Sequence, residues 1–152
     1  MIETERLALR PFTGQDAAVI REKQITEASM EEVEGMIKAW ESKTFQGKYF
    51  EMLALVANVS VVGSISLYEK TKKAASIGVE VFSDERGKGY AAEGMKLMIE
   101  LARKRGYRII LDQVRADNAA SIALHEKLGF ETDGYLYENA KGHKVLIYLL
   151  CL

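Results

Sequence analysis

Hydrophobic and polar residues alternate in short runs from the start of the chain. Leu7 and Leu9 sit between basic positions over Arg6 to Arg10, the period of two of a half-buried strand, and Pro11 ends it. Two helical stretches follow. Asp16 to Lys23 is short; the second opens on Ser29-Met30-Glu31-Glu32, a capping-box pattern, and continues through Val33, Met36, Ile37 and Trp40. Phe50 to Ala57 and Val61 to Tyr68 are apolar or alternating runs separated by the turn-like Asn58-Val59-Ser60, and a lysine-rich link leads to a third run, Ser76 to Phe82. These three predict an antiparallel meander.

The period then becomes helical. Ala91, Met95, Met98, Ile99 and Ala102 recur on one face, Arg103 to Arg105 complement the dipole, and Gly106 ends the helix. Arg108 to Val114 reads as a strand and Asn118 to Leu128 as a helix closed by Gly129. Phe130 to Tyr137 and Lys144 to Leu150 read as a terminal hairpin. The pattern predicts a mixed α/β domain, antiparallel at both ends, with one right-handed βαβ crossover between parallel neighbours.

Composition narrows the class. With 152 residues, 48% of them hydrophobic, the chain buries one sizeable core, and no linker or repeat divides it, so residues 1–152 read as one domain. Twenty-one basic residues against 22 acidic ones give a formal charge of −1, no global field for nucleic acid or an anionic membrane. No apolar stretch approaches a membrane span, and the opening Met1 to Phe12 lacks the apolar run of a secretory signal; the expectation is a soluble, cytoplasmic protein. A single cysteine, Cys151, forms no internal disulfide and reads as a packed thiol. With two isolated histidines it makes no familiar metal site.

The candidate chemistry lies between the third meander strand and the long helix, at Arg86-Gly87-Lys88-Gly89-Tyr90-Ala91. Glycines let successive backbone N–H groups converge on an anion, and the helix start adds unpaired N–H groups and partial positive charge at the same place. A phosphate or pyrophosphate fits such a loop. The P-loop pattern is absent. The relaxed dinucleotide fingerprint G-x-G-x-x-A is satisfied, with Asp112 roughly twenty residues on. Against that reading, four polar residues separate the first glycine from its strand, Asp112 falls within a strand, and the strand-helix alternation of a doubly wound sheet is missing.

Read as R-x-x-G-x-A, the loop resembles the pyrophosphate-binding motif of the GNAT family of acyl-CoA-dependent N-acyltransferases. A second segment resembles the same family: Asn118, Ser121, Leu124, His125, Lys127, Gly129 and Phe130 match N-x-x-[SA]-x-x-[LF]-[YH]-x-[KR]-x-G-F. The opening Thr4 to Ala17 is similar to the first strand and turn of the branch that contains ribosomal-protein N-terminal acetyltransferases (RimJ/RimL-like). The stretch from Ile20 to Phe50 carries no motif of that branch, although the family's first helices shape its acceptor pocket. The resemblance implies a central mixed sheet of about six to seven strands, mostly antiparallel, with helices on both faces. It implies acetyl-CoA as co-substrate, without a metal, held by Arg86, Gly87, Lys88, Gly89, Tyr90 and Ala91, with Asn118 and Ser121 along the pantetheine.

It further implies that an amine attacks the thioester directly while a backbone N–H at Val81 or Phe82 holds the oxyanion. His125 stands where the family often has tyrosine; roughly a quarter protonated at pH 7, it could donate to the departing thiolate. Alternation along the strand sets Glu80 opposite Ile77, Val79 and Val81, which makes it the candidate base; Glu93, in the first turn of the long helix, competes or serves the dipole. The acceptor would be a primary amine of a small molecule or a protein N-terminus, acted on by a monomer or homodimer, with no nucleic-acid or membrane partner. The alternatives are a CoA-binding sensor without turnover and a dinucleotide-dependent oxidoreductase.

Overall fold

The computed structural model describes residues 2–152. In chain order the elements are β1 (Ile2–Glu3), β2 (Ala8–Pro11), α1 (Ala17–Lys23), α2 (Met30–Trp40), β3 (Thr44–Phe45), β4 (Lys48–Ala57), β5 (Ser60–Glu69) and β6 (Ala74–Val81). They continue with α3 (Tyr90–Lys104), β7 (Ile109–Arg115), α4 (Ala119–Lys127), β8 (Tyr137–Glu138) and β9 (Lys144–Cys151). Among the described residues the strands form one nine-stranded sheet, β1-β2-β4-β5-β6-β7-β9-β8, with β3 paired to β4. Three strands have only two residues each, β1, β3 and β8, and they account for the excess over the six or seven expected.

Local chemistry sets the boundaries. The Ser29 hydroxyl accepts from the Glu32 N–H at 3.1 Å and opens α2, while the Glu32 carboxylate meets that hydroxyl at 3.2 Å rather than the backbone N–H of a full capping box. The hairpin arm expected over Phe130 to Tyr137 shrinks to β8 and an isolated bridge, Glu131 to Leu149. Gly134 takes φ +76°, and Asp133 accepts from both the Tyr135 N–H and the Tyr137 hydroxyl at 2.9 Å, which turns the chain out of the ladder. Cys151 is exposed rather than packed: along β9, Leu149 and Cys151 alternate away from the side on which Tyr148 is buried.

The two faces of the sheet carry separate cores. Leu55, Ile65, Leu67, Met95, Met98 and Ile110 are buried on the α3 side, whereas Phe12, Ile20, Val33, Ile37 and Ala54 are buried with α1 and α2. Each of these side chains other than that of Ala54 contributes about 1.5–3 kcal/mol on full burial. Among the described residues no helix is long and apolar enough to cross a membrane.

The crossover β6-α3-β7 supplies the parallel pair, and that pair is short. β6 and β7 match only at Ala74 with Ile109 and Ala75 with Ile110. Beyond this point Asp112 stands between them: its Oδ1 accepts from the Ile77 N–H and from the Ser76 hydroxyl, both at 2.9 Å. A side-chain carboxylate thus replaces the next backbone acceptor, and the strands part. On the other flank of β6, a Cβ at Gly63 would collide with the Glu80 carbonyl, so only glycine lets β5 lie this close beside Glu80.

Candidate functional site

Where β6 and β7 separate, a cleft of about 540 Å³ opens beneath the loop that leads into α3. Val79, Glu80 and Val81 line it from β6, Arg86, Gly87, Gly89, Tyr90 and Ala91 from the loop and helix start, and Asn118, Ser121, Leu124 and Lys127 from α4. The loop leaves β6 through a 3-10 turn, Ser83–Glu85, and is tied to the end of α1 by the ion pair of Asp84 with Lys23 at 2.7 Å. Gly87 and Gly89 have φ of +79° and +83°, and Gly89 caps α3 with no side chain of its own. The N–H groups of the first turn of α3 therefore open on the cleft without a side-chain cap among the described residues.

A valine at position 89 would be strained in this left-handed conformation and would put its Cβ 3.0 Å from Arg6 Nη2. Gly89→Val is expected to weaken CoA binding by about tenfold or more, roughly 1–2 kcal/mol of backbone strain, measured by calorimetry. Unchanged affinity would count against the loop as the pyrophosphate site.

The ladder separates Val81 from Phe82. Phe82 donates its N–H to the Val62 carbonyl at 2.8 Å, which spends it inside the β5-β6 pairing. Val81, one residue back and opposite Gly63, is in a non-hydrogen-bonded position, so its N–H and C=O point away from β5 toward the parting of the strands. Its carbonyl accepts from Arg86 Nε at 3.2 Å, which folds Arg86 over the cleft. Of the two expected oxyanion donors, Val81 is the one with its N–H toward the cleft; Phe82 is not available.

Glu80 is exposed at the cleft, and no ion pair or side-chain hydrogen bond occupies it among the described residues. It lies opposite Ser64 of β5, whose hydroxyl donates to Gln24 Oε1 at 3.2 Å, so the segment after α1 reaches the Glu80 side of the sheet. Glu93 does not compete for the cleft. It accepts from the Thr4 hydroxyl and from Arg6, and these partners hold its carboxyl below the usual carboxylate range. Lys88 also departs from its expected place: its ammonium pairs with Glu85 at 2.7 Å, its carbonyl faces Arg6, and its side chain does not line the cleft.

Asn118 caps α4, its Oδ1 accepting from the Ser121 N–H at 3.0 Å. His125, expected beside them as a direct proton donor, is turned inward. It is 5% exposed, stacks edge-on against Phe130, and sits 2.9 Å from Asp112 Oδ2 through Nε2 and 2.8 Å from the Ser121 carbonyl through Nδ1. Both neighbours of the ring are acceptors, so the arrangement suits an imidazolium donating twice to a carboxylate and a carbonyl. Burial disfavours that charge, but the bonds to Asp112 and Ser121 outweigh it and raise the His125 pKa above its usual 6.5. A direct donor role finds no free ring N–H. The link to the cleft is Ser121, whose hydroxyl lies 3.4 Å from Nδ1. Asp112, bonded to Ser76, Ile77 and His125 and 3% exposed, has no oxygen left for the ribose of a dinucleotide.

Together these features define a class: a mixed α/β domain in which a glycine loop at a helix start overhangs a cleft between two parting parallel strands. Residues 6–131 match the family described as acetyltransferase (GNAT) domain, and the chain belongs to that family. The L-methionine sulfoximine/L-methionine sulfone acetyltransferase of Pseudomonas aeruginosa is 32% identical over 104 residues, covering 65% of this chain and 60% of that protein. The ribosomal protein bS18-alanine N-acetyltransferase of Escherichia coli is 31% identical over 94 residues, 60% of this chain and 64% of its own length. The chain thus spans about 60% of the length of the first of these relatives. The same fold occurs in RimL, a ribosomal L7/L12 alpha-N-protein acetyltransferase solved in complex with coenzyme A, at a TM-score of 0.84 and 20% identity over 98% of this chain and 96% of that one.

Proposed function

We propose that the protein is an acetyl-CoA-dependent N-acetyltransferase that passes the acetyl group to a primary amine of a small molecule or a protein N-terminus by direct attack. The observation that carries this reading is the Val81 N–H, freed by the parting of β6 and β7, between an anion cradle on one side and the exposed Glu80 carboxylate on the other. Acetyl-CoA supplies an activated thioester. The N–H groups from Gly87 to Ala91, with Arg86, hold its pyrophosphate; Asn118 and Ser121 flank the pantetheine; the Val81 N–H stabilises the negative charge that develops on the thioester oxygen. Glu80 takes the proton of an amine whose pKa is about 8 to 10. The Ser121 hydroxyl gives its proton to the departing thiolate and recovers one from His125, which Asp112 keeps charged and whose Nδ1–H is shared between the Ser121 carbonyl at 2.8 Å and this hydroxyl at 3.4 Å.

The test pairs two assays. Acetyl-CoA at about a hundredfold excess over Kd should stabilise the protein by ~2.7 kcal/mol, and NAD(P) should not. Thiol release should then appear with at least one class among amino acids, polyamines and peptides with a free N-terminus. NAD(P) stabilisation would overturn the reading, and CoA binding without thiol release would reduce the protein to a CoA-binding module.

A further inference from the structure

The loop over the cleft is braced from behind by the first segment of the chain. Arg6, between β1 and β2, makes three contacts with it and with the first turn of α3. Its Nη2 donates to the Lys88 carbonyl at 2.7 Å, its Nε donates to Glu93 Oε2 at 2.6 Å, and its guanidinium lies over the Tyr90 ring, Cζ 5.0 Å from the centroid. Glu93 also accepts from the Thr4 hydroxyl, which itself accepts from the Leu7 N–H at 3.2 Å, so the segment from Thr4 to Leu7 is closed on itself as it meets α3. Of the residues Arg6 contacts, Tyr90 lines the cleft, whereas Lys88, Glu93 and Arg6 itself do not.

The consequence lies in one peptide plane. In a trans peptide the carbonyl of one residue and the N–H of the next point in opposite directions. Arg6 draws the Lys88 carbonyl backward, so the Gly89 N–H is turned forward, to the side where Gly89 lines the cleft. An unbraced Lys88–Gly89 peptide would rotate readily, because flipping it changes φ of Gly89, and glycine tolerates φ of either sign. The fork of an arginine is suited to this task, since Nε and Nη2 bond two different acceptors at once; a lysine ammonium would reach only as a point charge.

We propose that Arg6 is the positioning residue of the anion cradle, fixing the Lys88–Gly89 peptide so that its N–H is aimed at the ligand phosphate. The inference rests on the acetyl-CoA reading for the identity of that ligand, but not for the brace itself. Arg6→Ala is expected to weaken CoA binding by about tenfold or more, the scale of a lost charge-assisted hydrogen bond, and Arg6→Lys should not restore it. In the ligand-free protein, amide hydrogen exchange at Glu93, whose N–H closes the first turn of α3 on the Gly89 carbonyl at 3.1 Å, should accelerate by about tenfold in Arg6→Ala while the amides of β4 and β5 keep their wild-type rates. CoA affinity within about twofold of wild type, full rescue by lysine, or exchange that rises equally across the sheet would overturn the assignment. Should wild type bind no CoA, the acetyl-CoA reading fails, and the exchange comparison still decides whether Arg6 braces the loop.

Discussion

Glu80→Gln is expected to lower kcat by about a hundredfold to ten-thousandfold, the range that a positioned general base contributes, while leaving CoA affinity at the wild-type value. The two effects separate because Glu80 lies on β6, off the glycine loop, and the amide keeps its volume and can still accept a hydrogen bond. Only the capacity to take a proton is removed. The geometry leaves few substitutes among the described residues. Glu93 is occupied by Thr4 and Arg6, Asp84 is paired with Lys23, and Asp112 is buried against Ser76, Ile77 and His125. Steady-state rates at saturating acetyl-CoA, paired with calorimetric CoA titration, check the expectation. A kcat within about threefold of wild type would move the base to a water chain or to the acceptor itself, and a parallel loss of CoA affinity would show that Glu80 shapes the cleft instead.

The parts of this site that were legible in the sequence are the local ones. Arg86 to Ala91 identifies itself because its function is carried by backbone N–H groups of neighbouring residues, and glycines at 87 and 89 are the visible trace of φ values near +80°. The capped start of α4 at Asn118 and the helical period of α3 are local in the same sense. What the sequence could not separate depends on pairing between distant residues. Val81 and Phe82 differ only in which one faces Val62 across the ladder, and that register is set by contacts of β5 with β6.

The inward turn of His125 depends on Asp112, thirteen residues earlier and on another element. One signal was available: Asp112 falls on the same alternating face as Ile110 and Val114, and a carboxylate on a buried face needs partners. Arg6 gave no such sign, because an alternating Arg-Leu-Ala-Leu-Arg run reads equally well as a plain half-exposed strand. The hairpin arm after Phe130 failed for a related reason. Its apolar residues suggested a strand, but Asp133 and Gly134 impose a local turn that a two-residue period does not register.

His125→Phe carries the largest expected loss of stability. Phenylalanine fits the space beside Phe130 and Tyr148, so packing changes little, but Asp112 Oδ2 is left buried without a partner. Breaking a buried pair in this way costs about 3–5 kcal/mol. The addition of Asp112→Asn should recover much of that loss, because the remaining amide oxygen can still accept from Ser76 and Ile77 while the stranded charge is gone. The wild-type pair should also show its sign with pH. The folded pKa of His125 lies above the 6.5 of the unfolded chain, so the stabilisation is complete below that value and fades as pH rises through the folded one. The gap in unfolding free energy between wild type and the His125→Phe, Asp112→Asn double variant should therefore narrow as pH rises from 6.5 through the raised pKa of His125. Turnover supplies the second arm. With the imidazolium removed, Ser121 loses its charged proton donor and recovers a proton only from solvent, so kcat should fall much more than acetyl-CoA affinity. A double variant that is stable, binds acetyl-CoA and turns over at the wild-type rate would confine His125 and Asp112 to holding β6 and β7 apart, and leave protonation of the thiolate to solvent.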